Sequence, residues 1–272
     1  MFTKWIDVWR VETFDNDLYA ELSMHEKLIY NYMTTDKKNF LEREAADRTQ
    51  PNPFNPYIED YYRLVENEIM PRMEARTIRA WHYTRLTADE VSQIWSSGIY
   101  PSTMGKIQQR LNAQVSAGVL SSKEADDLFA GSPFHNKEQY SPRSDRFWLT
   151  SHPIQIDDSG VTLLLGNWGG ESVYFWLKDP VLKKIVAGIG KPRVLEIAVP
   201  LDTTKHIYSA AEAVVATFGR RLGCEPDRCR GFDLYTTQAL GSESVIAVHT
   251  EGEPNFIDLA RGYPSEFIGR TD

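Results

Sequence analysis

Residues 79–91, RAWHYTRLTADEV, decide how the rest of the chain is read. The segment 76–84, RTIRAWHYT, has the β-branched and aromatic residues of a strand. Thr87 and Glu90 then stand at capping-box spacing: a Thr side chain accepts from the backbone three residues on, and the Glu side chain reaches back. Leu86 can staple onto Val91, Gly98 stops the helix, and Val91, Ile94 and Trp95 form its expected buried stripe. A strand therefore runs straight into a helix, with His82, Tyr83 and Thr84 at the joint. Such joints carry ordinary turn residues, and they are also where side chains converge on a ligand.

On the N-terminal side the pattern is helical. SMHE (residues 23–26) reads as a capping box, followed by Leu28, Ile29, Tyr32 and Met33 at helical spacing. The prolines of QPNPFNP, residues 50–56, break the chain rigidly. A second helix, YIEDYYRLVENEIM, is expected to run up to Pro71, with Tyr57, Tyr61 and Tyr62 serving packing. On the C-terminal side, residues 104–130 read as a helical hairpin with Gly118 at its turn and a Ser121/Glu124 capping box. Strands are expected at RFWLT, VTLLL, SVYFWL, RVLEIAV, FDLYTT and SVIAV, with helices from Pro180, capped by Asp179, and from Ser209/Glu212. Strands then outnumber helices after residue 76, and the helices do not alternate regularly with them, which is the pattern of an α+β fold. The organisation expected is a helical region over 1–75, a main domain over 76–262 with the hairpin 104–130 inserted, and a tail over 263–272.

Composition excludes several classes. With 42% hydrophobic and 25% charged residues, the 272-residue chain can bury an ordinary core. No apolar run reaches the roughly 18–20 residues that span a bilayer, so no membrane partner is expected. The start lacks a signal-peptide core, which predicts a cytoplasmic protein or one delivered to another cell's cytoplasm. A net charge of −8 argues against binding nucleic acid through the overall field, while leaving room for a local basic groove. The two cysteines, Cys224 and Cys229, have no second Cys/His pair at zinc spacing and read as incidental thiols; no metal is expected. GNWGG (166–170) lacks the lysine of a phosphate cradle, and neither G-x-S-x-G nor H-E-x-x-H occurs.

Three strand-linked pieces remain: WHYT running into RLTADEVSQIWSSGIYPST, DRFWLTSHP ending in Thr150-Ser151, and SESVIAV with Glu243 ahead of a late apolar strand. In that order they resemble the ADP-ribosyltransferase superfamily, in the branch of the poly-ADP-ribose polymerases and DNA-modifying toxins. Members carry His with Thr or Ser on a first core strand, an aromatic on a second, and Glu opening a late strand. The resemblance spans about residues 78–250. It implies a split antiparallel β core and NAD as the substrate. His82 would bond a ribose hydroxyl, Tyr83 and Thr84 would line the carboxamide grip, and Phe147 or Trp148 would stack on nicotinamide beside Thr150 and Ser151. Glu243, with His82, would be catalytic, favouring the oxocarbenium-like state of glycosidic cleavage.

The chain departs from that pattern where a tyrosine is usual, since RFWLT offers Phe147 and Trp148. Tyr174 in ESVYFWL is an alternative aromatic, and Glu171, Glu196 and Glu251 are alternatives to Glu243; alternation in RVLEIAV could turn Glu196 to solvent. Each residue also has an ordinary reading: a structural histidine, core tryptophans, a turn glutamate, and solvated charges at Arg85, Arg143 and Arg146. The function implied is a mono-ADP-ribosyltransferase of toxin or defence-effector type, acting on a protein or nucleic-acid acceptor and held in check by an inhibitory partner protein. An NAD glycohydrolase and a non-catalytic binding module of the same fold are the alternatives.

Overall fold

The computed structural model describes residues 5–45, 53–225 and 231–263. Its elements, in chain order, are helices α1 (Asn16–Met24) and α2 (Glu26–Ala45), α3 (Ile58–Arg63), a π-helical turn (Leu64–Ile69) and α4 (Met70–Glu74). Strand β1 (Thr77–Leu86) leads into α5 (Ala88–Ser97), α6 (Met104–Ser116), α7 (Ser122–Ala130) and α8 (Lys137–Arg143). Then come β2 (Phe147–Thr150), α9 (Ser159–Gly166), α10 (Glu171–Tyr174) and α11 (Pro180–Gly188). The last elements are β3 (Lys191–Pro200), α12 (Ile207–Arg221), β4 (Asp233–Thr236), β5 (Val245–Thr250) and α13 (Pro254–Leu259). Among the described residues 56% are helical and 15% are in strands, with one five-stranded antiparallel sheet, so the fold is mixed α+β.

The sheet order is β4-β2-β1-β3-β5. Trp81 pairs with Thr150 across β1 and β2, and β3 pairs with β5 from Arg193–Thr250 to Ile197–Val245, with a bulge at Glu196/Ile197. The strand carrying His82 is thus central. The chain divides into two compact units, one of residues 1–79, 199–234 and 263–272, the other of residues 80–198 and 235–262.

In the first unit, α12 packs on α2, α4 and the π turn. Ala210, Ala211 and Val214 to Gly219 are all buried there. Gly219 faces Met33 so closely that a β-carbon there would lie 2.2 Å from its sulfur. Asp15 caps α1 by accepting from the Leu18 N–H at 2.9 Å, and takes both arms of the Arg76 fork at 2.7 Å. That fork holds the Asp15 carboxyl below its usual range. Several sequence expectations are corrected here. The SMHE box does not form: Ser23 lies inside α1 and donates to the Tyr19 carbonyl at 2.8 Å. The second helix does not stop at Pro71. The π turn hands over to α4 at Met70, whose N–H bonds back to Val65, and Pro71 falls in the first turn of α4, where a missing N–H costs little. Helix α12 opens at Ile207, ahead of Ser209 and without the expected cap. Cys224 is buried with a free thiol, and Cys229 lies outside the described residues.

In the second unit, the α6–α7 hairpin forms with its Ser121/Glu124 box, and α5 has its Thr87/Glu90 box. Leu111, Leu128, Trp168, Val173 and Val186 build the core under these helices. Strands were expected at VTLLL and SVYFWL, but α9 and α10 are helices. Asp158 caps α9, and Val161 and Leu165 are buried four residues apart while Leu163 is exposed, which is helical spacing. In α10 the neighbours Ser172 and Val173 are both buried, as strand alternation would not allow. Gly169 and Gly170, both at positive φ, reverse the chain before it; a β-carbon on Gly169 would meet Val173 at 2.3 Å. With those two segments helical, helices outnumber strands after residue 76, opposite to the expectation. The α5 stripe also differs: Val91 and Ile94 are half-buried, Trp95 is exposed, and the buried residue is Glu90.

Candidate functional site

His82 and Thr84 share one face of β1, two residues apart. Phe147, on the paired strand, sets its ring 4.4 Å from the imidazole. His82 Nδ1 lies 2.8 Å from the Trp148 carbonyl oxygen. A carbonyl only accepts, so Nδ1 carries the proton and the neutral ring presents Nε2 as an acceptor. Apolar surroundings push the His82 pKa down to about 4; the Trp148 carbonyl opposes this and the Arg110 charge adds to it. At neutral pH the imidazole is therefore uncharged, with one tautomer fixed by the backbone. Thr84 is buried beside it.

The other residues of the two motifs do different work. Tyr83 points to the opposite face, is buried, donates to the Ile154 carbonyl at 3.1 Å and accepts from the Ile154 N–H at 2.6 Å. It pins the segment that follows β2, and burial raises its pKa well above normal. Thr150 Oγ1 donates to the His152 carbonyl at 2.8 Å, and Ser151 is fully buried. Trp148 turns away from His82: its indole donates to the Pro142 carbonyl at 3.1 Å and its ring meets Tyr235 at 4.7 Å. Arg146 lies over that tyrosine at 4.4 Å. Of the two candidate aromatics, Phe147 is the one against the histidine. Tyr174 sits on α10, half-buried, with its pKa raised to about 12 by burial and by Glu171.

Glu243 occupies an exposed 3-10 turn ahead of β5, and its carboxylate folds back over Gly241. In the sheet, β5 is separated from β1 by β3. The late strand bonded to β2 is β4, which opens on Asp233. The alternatives to Glu243 are engaged elsewhere. Glu171 pairs with Arg143 at 2.8 Å. Glu196, far from facing solvent, is buried and bonds His249 at 2.7 Å, because β3 is buried on both faces here: Val194 and Glu196 on one, Leu195 and Ile197 on the other. Glu251 lies in an exposed turn.

Sequence reasoning missed Arg110. Its Nε donates to Glu90 Oε1 at 2.7 Å, and its guanidinium lies 4.9 Å from the Trp168 ring centre. Glu90 Oε2 accepts from Trp168 Nε1 at 2.9 Å and from the Thr87 N–H at 2.9 Å, so the group that holds Arg110 is itself held. The Arg110 charge bears on His82, and its Nη2 is buried without a hydrogen-bond partner. An oriented, unsatisfied N–H whose charge reaches a neutral imidazole acceptor suits an oxygen-rich ligand. In sequence, the available sign was Arg110 flanked by Ile107 and Leu111 on a helix, which also describes a solvated edge. The arginines singled out from sequence are occupied: Arg85 by the Ile189 carbonyl at 2.8 Å, Arg143 by Glu171, and Arg146 by Tyr235.

Among the described residues no group of three or more His, Cys, Asp or Glu could hold a metal ion, and no helix is long and apolar enough to cross a membrane. A scan of protein-family models and searches of curated proteins and of solved structures found no match.

Proposed function

We propose that the chain is an NAD-dependent mono-ADP-ribosyltransferase, built on a split β core of the ADP-ribosyltransferase kind. The observation that carries this reading is neutral His82, fixed by the Trp148 carbonyl against the Phe147 ring. His82 Nε2 accepts a hydrogen bond from a ribose hydroxyl, Phe147 offers an apolar face to nicotinamide, and Arg110 Nη2 donates to a phosphate oxygen. In the reaction the ribose C1′–nitrogen bond breaks, and nicotinamide leaves with the electron pair. The ribosyl cation is taken by an acceptor oxygen or nitrogen, whose proton passes to a carboxylate or to water. The carboxylate that stabilises that cation is Glu243, from the sequence pattern.

The test is nicotinamide release from NAD, with and without cell lysate, in wild type, His82→Ala and Glu243→Gln. Lysate-dependent release that falls at least about a hundredfold in His82→Ala supports the transferase. Silence of Glu243→Gln names the acid. Release independent of lysate makes the enzyme a glycohydrolase. A non-catalytic binding module is the second reading, favoured by the separation of β5 from β1 in the sheet. NAD binding without release would establish it, and no binding at all would refute both.

A further inference from the structure

A groove of about 540 Å³ opens between the end of α7 and the segment after α10, lined by Gly131, Ser132, His135, Asn136, Trp176 and Lys178. Its floor is rigid. Ser132 is buried, donates to the Ser172 carbonyl at 2.7 Å and accepts from the Phe134 N–H. His135 Nε2 sits 2.9 Å from the Phe129 carbonyl, so Nε2 carries a proton and Nδ1 is left to accept. Asn136 spends its Oδ1 on the Glu138 and Gln139 N–H groups at the start of α8, which leaves its NH₂ to donate. Trp176 is 42% exposed, leaving its indole face open to the groove. Lys178 forms no ion pair among the described residues. No acid lines the groove, although the chain carries a net charge of −8.

We infer that this groove binds a mononucleotide unit, with the base stacked on Trp176, its edge read by the Asn136 amide and His135 Nδ1, and the phosphate taken by Lys178. The volume suits one such unit, and an indole face combined with an amide, an acceptor and a lone cation is the chemistry that recognises a base and its phosphate together. Helix α8 starts at the groove and ends just before β2; its seven residues span about 10 Å. The groove is therefore distinct from the His82 face yet close along the chain. As the seat of a nucleotide-bearing acceptor it rests on the transferase reading, whereas nucleotide binding at the groove does not.

The experiment is calorimetric titration of the full chain with adenosine 5′-monophosphate, adenosine, and an oligothymidylate of about eight nucleotides. It is repeated on Trp176→Ala and Lys178→Gln. Because Trp176 and Lys178 are surface residues, circular dichroism should show both variants folded. We expect the monophosphate or the oligomer to bind, with affinity falling about tenfold or more in Trp176→Ala. Lys178→Gln should weaken the phosphate-bearing probes and leave adenosine unchanged. An oligomer bound more than about tenfold tighter than the monophosphate makes nucleic acid the source; comparable affinities make it a free nucleotide. No binding of either probe overturns the inference. So does binding untouched by Trp176→Ala. A protein that binds the probes but never releases nicotinamide from NAD would sink the transferase reading alone.

Discussion

Replacing His82 with Asn removes an imidazole that the fold keeps neutral, while the Asn amide can still donate to the Trp148 carbonyl. The consequence is a change in how stability depends on pH. In the unfolded chain His82 titrates near its ordinary 6.5, and in the folded protein near 4. Between those values the unfolded state binds the extra proton, so the folded state loses stability as pH falls through 6.5, and the loss saturates below 4. The full shift corresponds to about 3.4 kcal/mol, of which about 2 kcal/mol is lost by about pH 5. Other groups shifted by folding, such as Asp7, whose carboxyl is raised by burial, are common to both proteins. The assay is urea unfolding of wild type and His82→Asn at about pH 7.5 and about pH 5, read as a difference of differences. Wild type should lose about 2 kcal/mol more than the variant over that span. Equal losses within about 0.5 kcal/mol would refute the reasoning, and so would an imidazole resonance of His82 titrating near its ordinary value in an NMR pH series.

Two further changes probe the frame of the site. Tyr83→Phe leaves the Ile154 N–H and carbonyl without their buried partner and should cost about 1–3 kcal/mol in urea unfolding, with faster amide exchange after β2; a loss below about 0.5 kcal/mol would mean water replaces the phenol. Glu90→Ala orphans the Trp168 indole and frees Arg110, and should destabilise by about 3 kcal/mol and weaken any NAD binding; full stability would show that this network does not hold Arg110.

Much of the architecture is local and could be read directly. The joint of β1 and α5 declares itself through Thr87, Glu90 and Gly98, because caps and left-handed stops act within a few residues. The hairpin of α6 and α7 and the strands β2 to β5 were legible for the same reason. Short apolar runs were not. VTLLLG and SVYFWL can be strand or helix, and the choice fell to which residues the core could bury: Val161 with Leu165, and Ser172 with Val173. The passage through Pro71 depended on a π turn that leaves no mark in the sequence.

The candidate site divides the same way. The sequence alone brought His82, Thr84 and Phe147 into view, since strand identity and alternation fix which side chains share a face. Only tertiary structure decided between Phe147 and Trp148, held Glu196 inside against His249, and set β4 beside β2 with β5 beyond β3. It also brought Arg110 to bear on His82, through a glutamate twenty residues away and a tryptophan in a distant loop. Strand order and long-range ion pairs are chosen by the packing of the whole chain, and no local spacing in a sequence encodes them.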